Sequence, residues 1–364
     1  MLCGVKMESI LTFIYEKKKD SAVIWRCFSR DPKVELPKTV AGLPVRELAP
    51  YAFSAHMDEK ELRLGLEQGR LSIYEPGLFG ADVTGKTYTE EDVRRPGGGH
   101  TDDGSRSRWE LPQLPAMCGD LLREIVLPGS MQRVGRYCFY NCAKLHRVAF
   151  DGLTDWGSGV FTGCHHVNRI RVRVEDDGRS SLKQVLDEIW EALEVEYTGS
   201  DGRQAQLVFP ECYEEGVENT PARILETHVH GSGMLYRNCF QNKSFDFAQY
   251  DAVFPYACAQ EPAGLVARMV MGRLRFPVGL SEKAREQYEA YAVTHGQELA
   301  CCVLDARDMD GLRWLVELAK RRACTELLPY LAEQASRRNF PEAISYLMEC
   351  MRPETKRTRR RWEL

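Results

Sequence analysis

The feature that most constrains this chain is an internal repeat of 22–23 residues. Leu122, Ile125 and Leu127 recur as Leu145, Val148 and Phe150 at an offset of 23. Val134-Gly135, Phe139 and Cys142 recur as Trp156-Gly157, Phe161 and Cys164 at an offset of 22. A third pass opens with Val167, Ile170 and Val172, then fades. The one-residue difference falls between strand and turn, where a loop absorbs it. Each unit reads as a short strand, such as 123–127, with alternate apolar residues on one face. A stretch such as 134–142 then turns the chain back, with its Phe filling the interior and its Cys in the corner. A unit of this size cannot bury its apolar face alone, so neighbours must stack into a solenoid.

The same signature appears earlier. Val34-Glu35-Leu36-Pro37 leads to Gly42-Leu43-Pro44-Val45, Leu48 and Tyr51-Ala52-Phe53, and Leu48 to Phe53 spans the same step as Val134 to Phe139. The expected repeat core is Phe53, Leu127, Val134, Phe139, Cys142, Leu145, Val148, Trp156, Phe161, Cys164 and Ile170. The opening pattern through Tyr51-Ala52-Phe53 resembles the first repeat of BspA-type leucine-rich repeat proteins. Leu127-Pro128, Tyr137-Cys138-Phe139 and Asn141-Cys142 are similar to their inner repeats. The resemblance covers about residues 10–60 and 118–174 and implies a leucine-rich repeat fold. Many members are exported surface proteins with long arrays. Here the repeats are few and Lys17-Lys18-Lys19 interrupts the apolar run at Leu11–Tyr15, so export and surface adhesion are not expected.

The expected fold class is α+β: a short leucine-rich repeat solenoid followed by an α-helical domain. The repeat block spans residues 1–174, with a flexible insertion at about 58–118. The insertion contains Gly97-Gly98-Gly99, which lacks the Gly-Lys-Ser/Thr ending and preceding strand of a phosphate loop. A mixed α/β linking region follows at 175–261. Its 181–193 stretch has helical apolar spacing through Leu182, Val185, Leu186, Ile189, Trp190 and Leu193, and 206–210 reads as a strand. Residues 262–352 read as helices. Asp310–Leu315 and Glu342–Leu347 are equivalent helices 32 residues apart, a period that resembles ankyrin-type hairpins. Residues 353–364 form a basic tail. Residues 211–258 and the helices after them are also similar to uncharacterised bacterial leucine-rich repeat proteins, a similarity that supplies no activity.

Chemistry-bearing residues concentrate in 211–240. On an extended strand, Glu226, His228 and His230 leave one face and offer metal ligands, with Cys212 or Cys239 as a further donor. No HExxH and no paired-Cys spacing accompanies them, and a polar ladder is the plainer reading. Gly231-Ser232-Gly233 is a shortened nucleophile elbow that reads as a turn. Cys239 beside a His is a possible thiol–imidazole pair. His165-His166 reads as a solvated corner, and Cys138/Cys142 as packing residues. The tail Lys356-Arg357-Thr358-Arg359-Arg360-Arg361-Trp362 offers a phosphate-binding cluster, although a short basic end is ordinarily solvated.

Thirteen cysteines without a CxxC pair indicate reduced thiols and a cytoplasmic protein. No window reaches the length of a transmembrane helix. The net charge of −4 selects no charged partner class. With no convergent catalytic set and no cofactor motif, the expected function is a protein–protein scaffold or adaptor rather than an enzyme. No cofactor and no membrane are expected, and nucleic acid is disfavoured. The alternatives are a metal-dependent or thiol enzyme at 211–240 and nucleic-acid binding through the tail.

Overall fold

The computed structural model describes residues 11–75, 111–219, 224–324 and 326–352; the side chains of 214–219 and 224–229 fall outside that description. The repeats form two parallel ladders. The first joins β3 (Lys33–Glu35), β7 (Glu124–Val126), β9 (Arg147–Asp151), β11 (Arg169–Arg173) and β12 (Leu193–Thr198), with antiparallel β13 (Gln204–Phe209) closing a six-stranded sheet. Val34, Ile125, Val148, Ile170 and Val195 align across it and are all buried. The second ladder joins β2 (Ala22–Phe28), β5 (Leu43–Leu48), β8 (Arg133–Val134) and β10 (Asp155–Trp156), and brings Ile24, Leu48, Val134 and Trp156 into register.

Between the ladders the turns stack as well. Phe53, Phe139 and Phe161 form a ring column with centroids 5.4 and 5.6 Å apart. Trp156 links that column to Phe150 of the facing sheet, at 5.5 and 5.1 Å. The Cys142 thiol donates to the Phe53 carbonyl at 3.1 Å, and the Cys164 thiol to the Phe139 carbonyl at 3.0 Å. Each cysteine therefore ties its own repeat to the preceding one. Burial pushes both thiols up, Cys164 to about 12, so they stay protonated donors. Leu127, Leu145 and Ile170 belong to the same core.

Two glycines are fixed by this stacking. A Cβ on Gly157 would lie 2.6 Å from the Arg136 nitrogen, because neighbouring turns touch backbone to backbone there. Two positions further on, Tyr51, Tyr137 and Gly159 are equivalent and all left-handed, at φ 59, 53 and 65. Tyr51 stacks on Tyr137 at 5.4 Å, and the Tyr137 ring lies where a side chain on Gly159 would go.

One edge of the second ladder is extended by β1 (Thr12–Lys17), antiparallel to β2. The expected loop from residue 58 is not a loop at its start. Helix α1 (Glu59–Glu67), capped by Asp58, and strand β6 (Leu71–Tyr74), paired with β1, occupy it. Leu62 and Leu66 pack on Ile14 and Phe28 in a small second core, which covers the end of the stack. The Pro96–Arg108 run lies outside the described residues. Short β4 (Thr39–Val40) pairs with β5.

The sheet continues past residue 174. Helix α2 (Leu182–Glu188) replaces the turn stretch of a repeat, and the helix expected to reach 193 stops at Glu188. Leu193 instead opens β12, because Ile189 is already extended. Then come hairpin β14 (Tyr213–Asn219) and β15 (Ile224–His230), α3 (Gly233–Arg237), β16 (Phe240–Gln241) and β17 (Ser244–Phe245). Helices follow: α4 (Phe247–Ala252), α5 (Phe254–Gln260), α6 (Ala263–Arg275), α7 (Glu282–Thr294), α8 (Gly296–Asp305), α9 (Met309–Arg321), α10 (Leu327–Arg337) and α11 (Pro341–Cys350). The whole is α+β. Among the described residues no helix is long and apolar enough to cross a membrane.

Candidate functional site

The chemistry-bearing segment is tied into the fold bond by bond. Buried Arg237 donates to the carbonyls of Leu186, Ile189, Trp190 and Glu191, and to that of Pro210. The guanidinium thus gathers one carbonyl of the last turn of α2 and the carbonyls of the extended stretch that follows, and so holds the chain where it leaves the helix. Ser232 donates its hydroxyl to Glu261 Oε1 at 2.7 Å, and its backbone N–H does the same, so this serine is a structural tie. Cys239 is buried, its thiol donates to the Leu235 carbonyl, and burial pushes it up to about 12. A thiol so protonated is a poor nucleophile.

Glu226, His228 and His230 lie at alternate positions of β15, opposite Val217, Glu215 and Tyr213. The side chains of Glu226 and His228 lie outside the described residues. His230 is exposed, with its ring 5.6 Å from that of Tyr213. Cys212, the residue before Tyr213, is buried. Among the described residues no three His, Cys, Asp or Glu side chains meet in a way that would hold a metal ion. His165 is exposed and bonds Glu191 at 2.9 Å. The basic tail lies outside the described residues.

The surface built by several elements together is the outer face of the six-stranded sheet. Its charges are laid out by strand alternation. Lys33, Glu124, Arg147, Arg169 and Glu194 form one row, and Glu35, Val126, Ala149, Arg171, Glu196 and Gln206 the next. Arg147 reaches over β11 to Glu196 at 2.9 Å. Glu194 takes Arg268 at 3.2 Å and Arg169 at 4.0 Å.

Helix α6 packs beside β13, where Gly272 lies against the Gln206 carbonyl; an added Cβ would come within 2.5 Å of it. That close approach brings Arg268, Met271 and Arg275, on one face of α6, up to the sheet. With α8 they wall a groove of about 420 Å³ floored by Arg169, Glu194, Glu196 and Gln206. At its far wall Asp308 caps α9 through the Gly311 N–H at 2.8 Å and pairs with Arg275. Burial opposes the Asp308 charge, but the Gly311 N–H and the Arg275 guanidinium outweigh it and hold the carboxyl below its usual range. The Cys302 thiol in the same wall is pushed up by burial. The groove lining offers paired charges, a Met, backbone groups and a thiol held protonated by burial. The signal for its floor is the alternation in Arg169-Ile170-Arg171-Val172-Arg173; the wall arrives from a helix far along the chain.

Residues 116–183 match the family model described as BspA type leucine rich repeat region (6 copies). The chain carries a BspA-type leucine-rich repeat region. No curated protein and no solved structure matches the chain. The leucine-rich repeat region contributes β7 to β11, and so Arg147, Arg169, Arg171 and Arg173 of the outer face; Glu194 and Glu196 follow it.

Proposed function

We propose that this chain is a protein-binding scaffold or adaptor, and that its partner docks in the groove between the outer sheet face and α6–α8. One observation carries the reading. Inward residues of the ladder repeat from strand to strand, whereas outward ones differ at nearly every position, from Lys33 to Glu124 to Arg147. A face freed from the packing rule and held on a rigid ladder is suited to a specific partner. Leucine-rich repeats generally serve protein–protein interaction. On this reading the repeats act as a short solenoid, and α8–α11 act as ankyrin-type hairpins whose second members start at Met309 and Pro341. The protein works in the cytoplasm without a cofactor. The protonated Cys239 and the committed Ser232 weigh against a thiol or serine enzyme at 211–240.

The test is affinity capture of the full chain from its native lysate, beside a Gln206→Trp variant that fills the groove. A stoichiometric partner lost on Gln206→Trp is the expected result. A partner retained in full by that variant would move the site elsewhere.

A further inference from the structure

The ion pairs on the outer face do not close. The acidic residues of β12, beside β11, are engaged by other arginines: Glu196 by Arg147 at 2.9 Å, and Glu194 by Arg268 at 3.2 Å and Arg169 at 4.0 Å. Arg171 and Arg173 are both exposed, and among the described residues neither has an ion pair. Arg171 stands between Ala149 and Glu196, and Arg173 between Asp151 and Thr198. One repeat earlier the equivalent positions hold Ala149 and Asp151, so the repeat itself does not call for arginine there.

We infer that Arg171 and Arg173 select the partner, and that they take an extended peptide segment with acidic side chains at alternate positions. The inference rests on the groove reading above and names its partner's chemistry. Alternate residues on a strand are about 6.6–7 Å apart. An extended peptide lying along β11 presents its alternate carboxylates at the same spacing. Each guanidinium then takes one carboxylate in a paired, charge-assisted contact. The rest of the surface restricts the ligand to a local pair of acids. In the adjoining groove Arg169, Arg268 and Arg275 are offset by Glu194, Glu196, Asp305 and Asp308, which leaves no run of unpaired cations for a continuous polyanion to follow. The groove lining also holds no aromatic side chain on which a base would stack, which favours peptide over single-stranded nucleic acid.

The test is fluorescence anisotropy of the full chain with a labelled short peptide of alternating serine and glutamate. The comparison ligands are its serine–glutamine counterpart and an oligothymidylate. Expected are salt-sensitive binding of the glutamate peptide, no binding of the glutamine peptide, and binding about tenfold or more weaker in Arg171→Glu/Arg173→Glu. Both sites are exposed, so the fold is retained, which circular dichroism checks. Arg313→Glu/Arg321→Glu on α9 should leave the affinity unchanged. Equal binding by wild type and Arg171→Glu/Arg173→Glu, no binding of the glutamate peptide, or tighter binding of the oligothymidylate would each overturn the inference. If the glutamate peptide fails while Gln206→Trp still loses a captured partner, the groove reading stands and only this inference falls.

Discussion

The stacked repeats and the segment at 211–261 both bury hydrogen-bonding groups, by opposite means. In the repeats one solution is used again: the Cys142 and Cys164 thiols each reach the Phe carbonyl of the preceding unit. In the later segment each polar group has its own answer. Arg237 gathers carbonyls from the end of α2, and Ser232 binds Glu261. Asp251 of α4 accepts from Arg273 of α6 at 2.8 Å and from Tyr288 of α7 at 2.9 Å. Repetition yields a stiff, uniform interior. Single-use networks fix where the helices sit against the sheet, and that placement makes the groove.

The contrast predicts how each region fails. Phe139→Ala removes the middle ring of the column and should cost about 3–5 kcal/mol in chemical denaturation. Phe161 touches one column neighbour plus Trp156; if Phe139→Ala cost under about 1 kcal/mol, the column would not be the repeat core it is taken to be. Arg273→Met leaves Asp251 buried without its cation and should cost about 3–5 kcal/mol, mostly recovered when Asp251 is also made apolar. No such rescue exists for the Phe column, which is what separates packing from a single-use ion pair.

Smaller effects sharpen the same point. Gly135 and Gly157 are one repeat apart, and a Cβ would lie 2.5 Å from Pro50 in the first case and 2.6 Å from Arg136 in the second. Changing either to Ala should cost a similar amount, about 1–3 kcal/mol; strongly unequal costs would break the equivalence of the turns. Asp308→Ala should cost about 1–2 kcal/mol by removing a helix cap. Because the folded pKa of Asp308 is depressed, its contribution is present above the unfolded value of about 4 and fades as pH falls through the folded one. The stability gap between wild type and Asp308→Ala should therefore narrow below about pH 4 and stay constant between pH 6 and 8.

What repeats was legible. Val134, Phe139 and Cys142 announce themselves because Trp156, Phe161 and Cys164 restate them, and helices α8–α11 follow from apolar spacing. What is stated once was not. The helical spacing that runs to Leu193 ignores Arg237, whose bonds come from far along the chain. Helix α1 and strand β6 were hidden because the polar run at Pro96–Arg108 set the apparent start of the insertion too early. For the groove, the arginine alternation on β11 is visible in the sequence, but the approach of α6 depends on Gly272 meeting Gln206, a contact with no local signature.

The most direct test of the account is hydrogen–deuterium exchange on the full chain with and without its captured partner. Slowed exchange in β11, β12 and α6, with β1, β6 and α11 unchanged, is the predicted result. Protection confined to the β14–β15 hairpin or to α10–α11, with β11 and α6 unaltered, would contradict it.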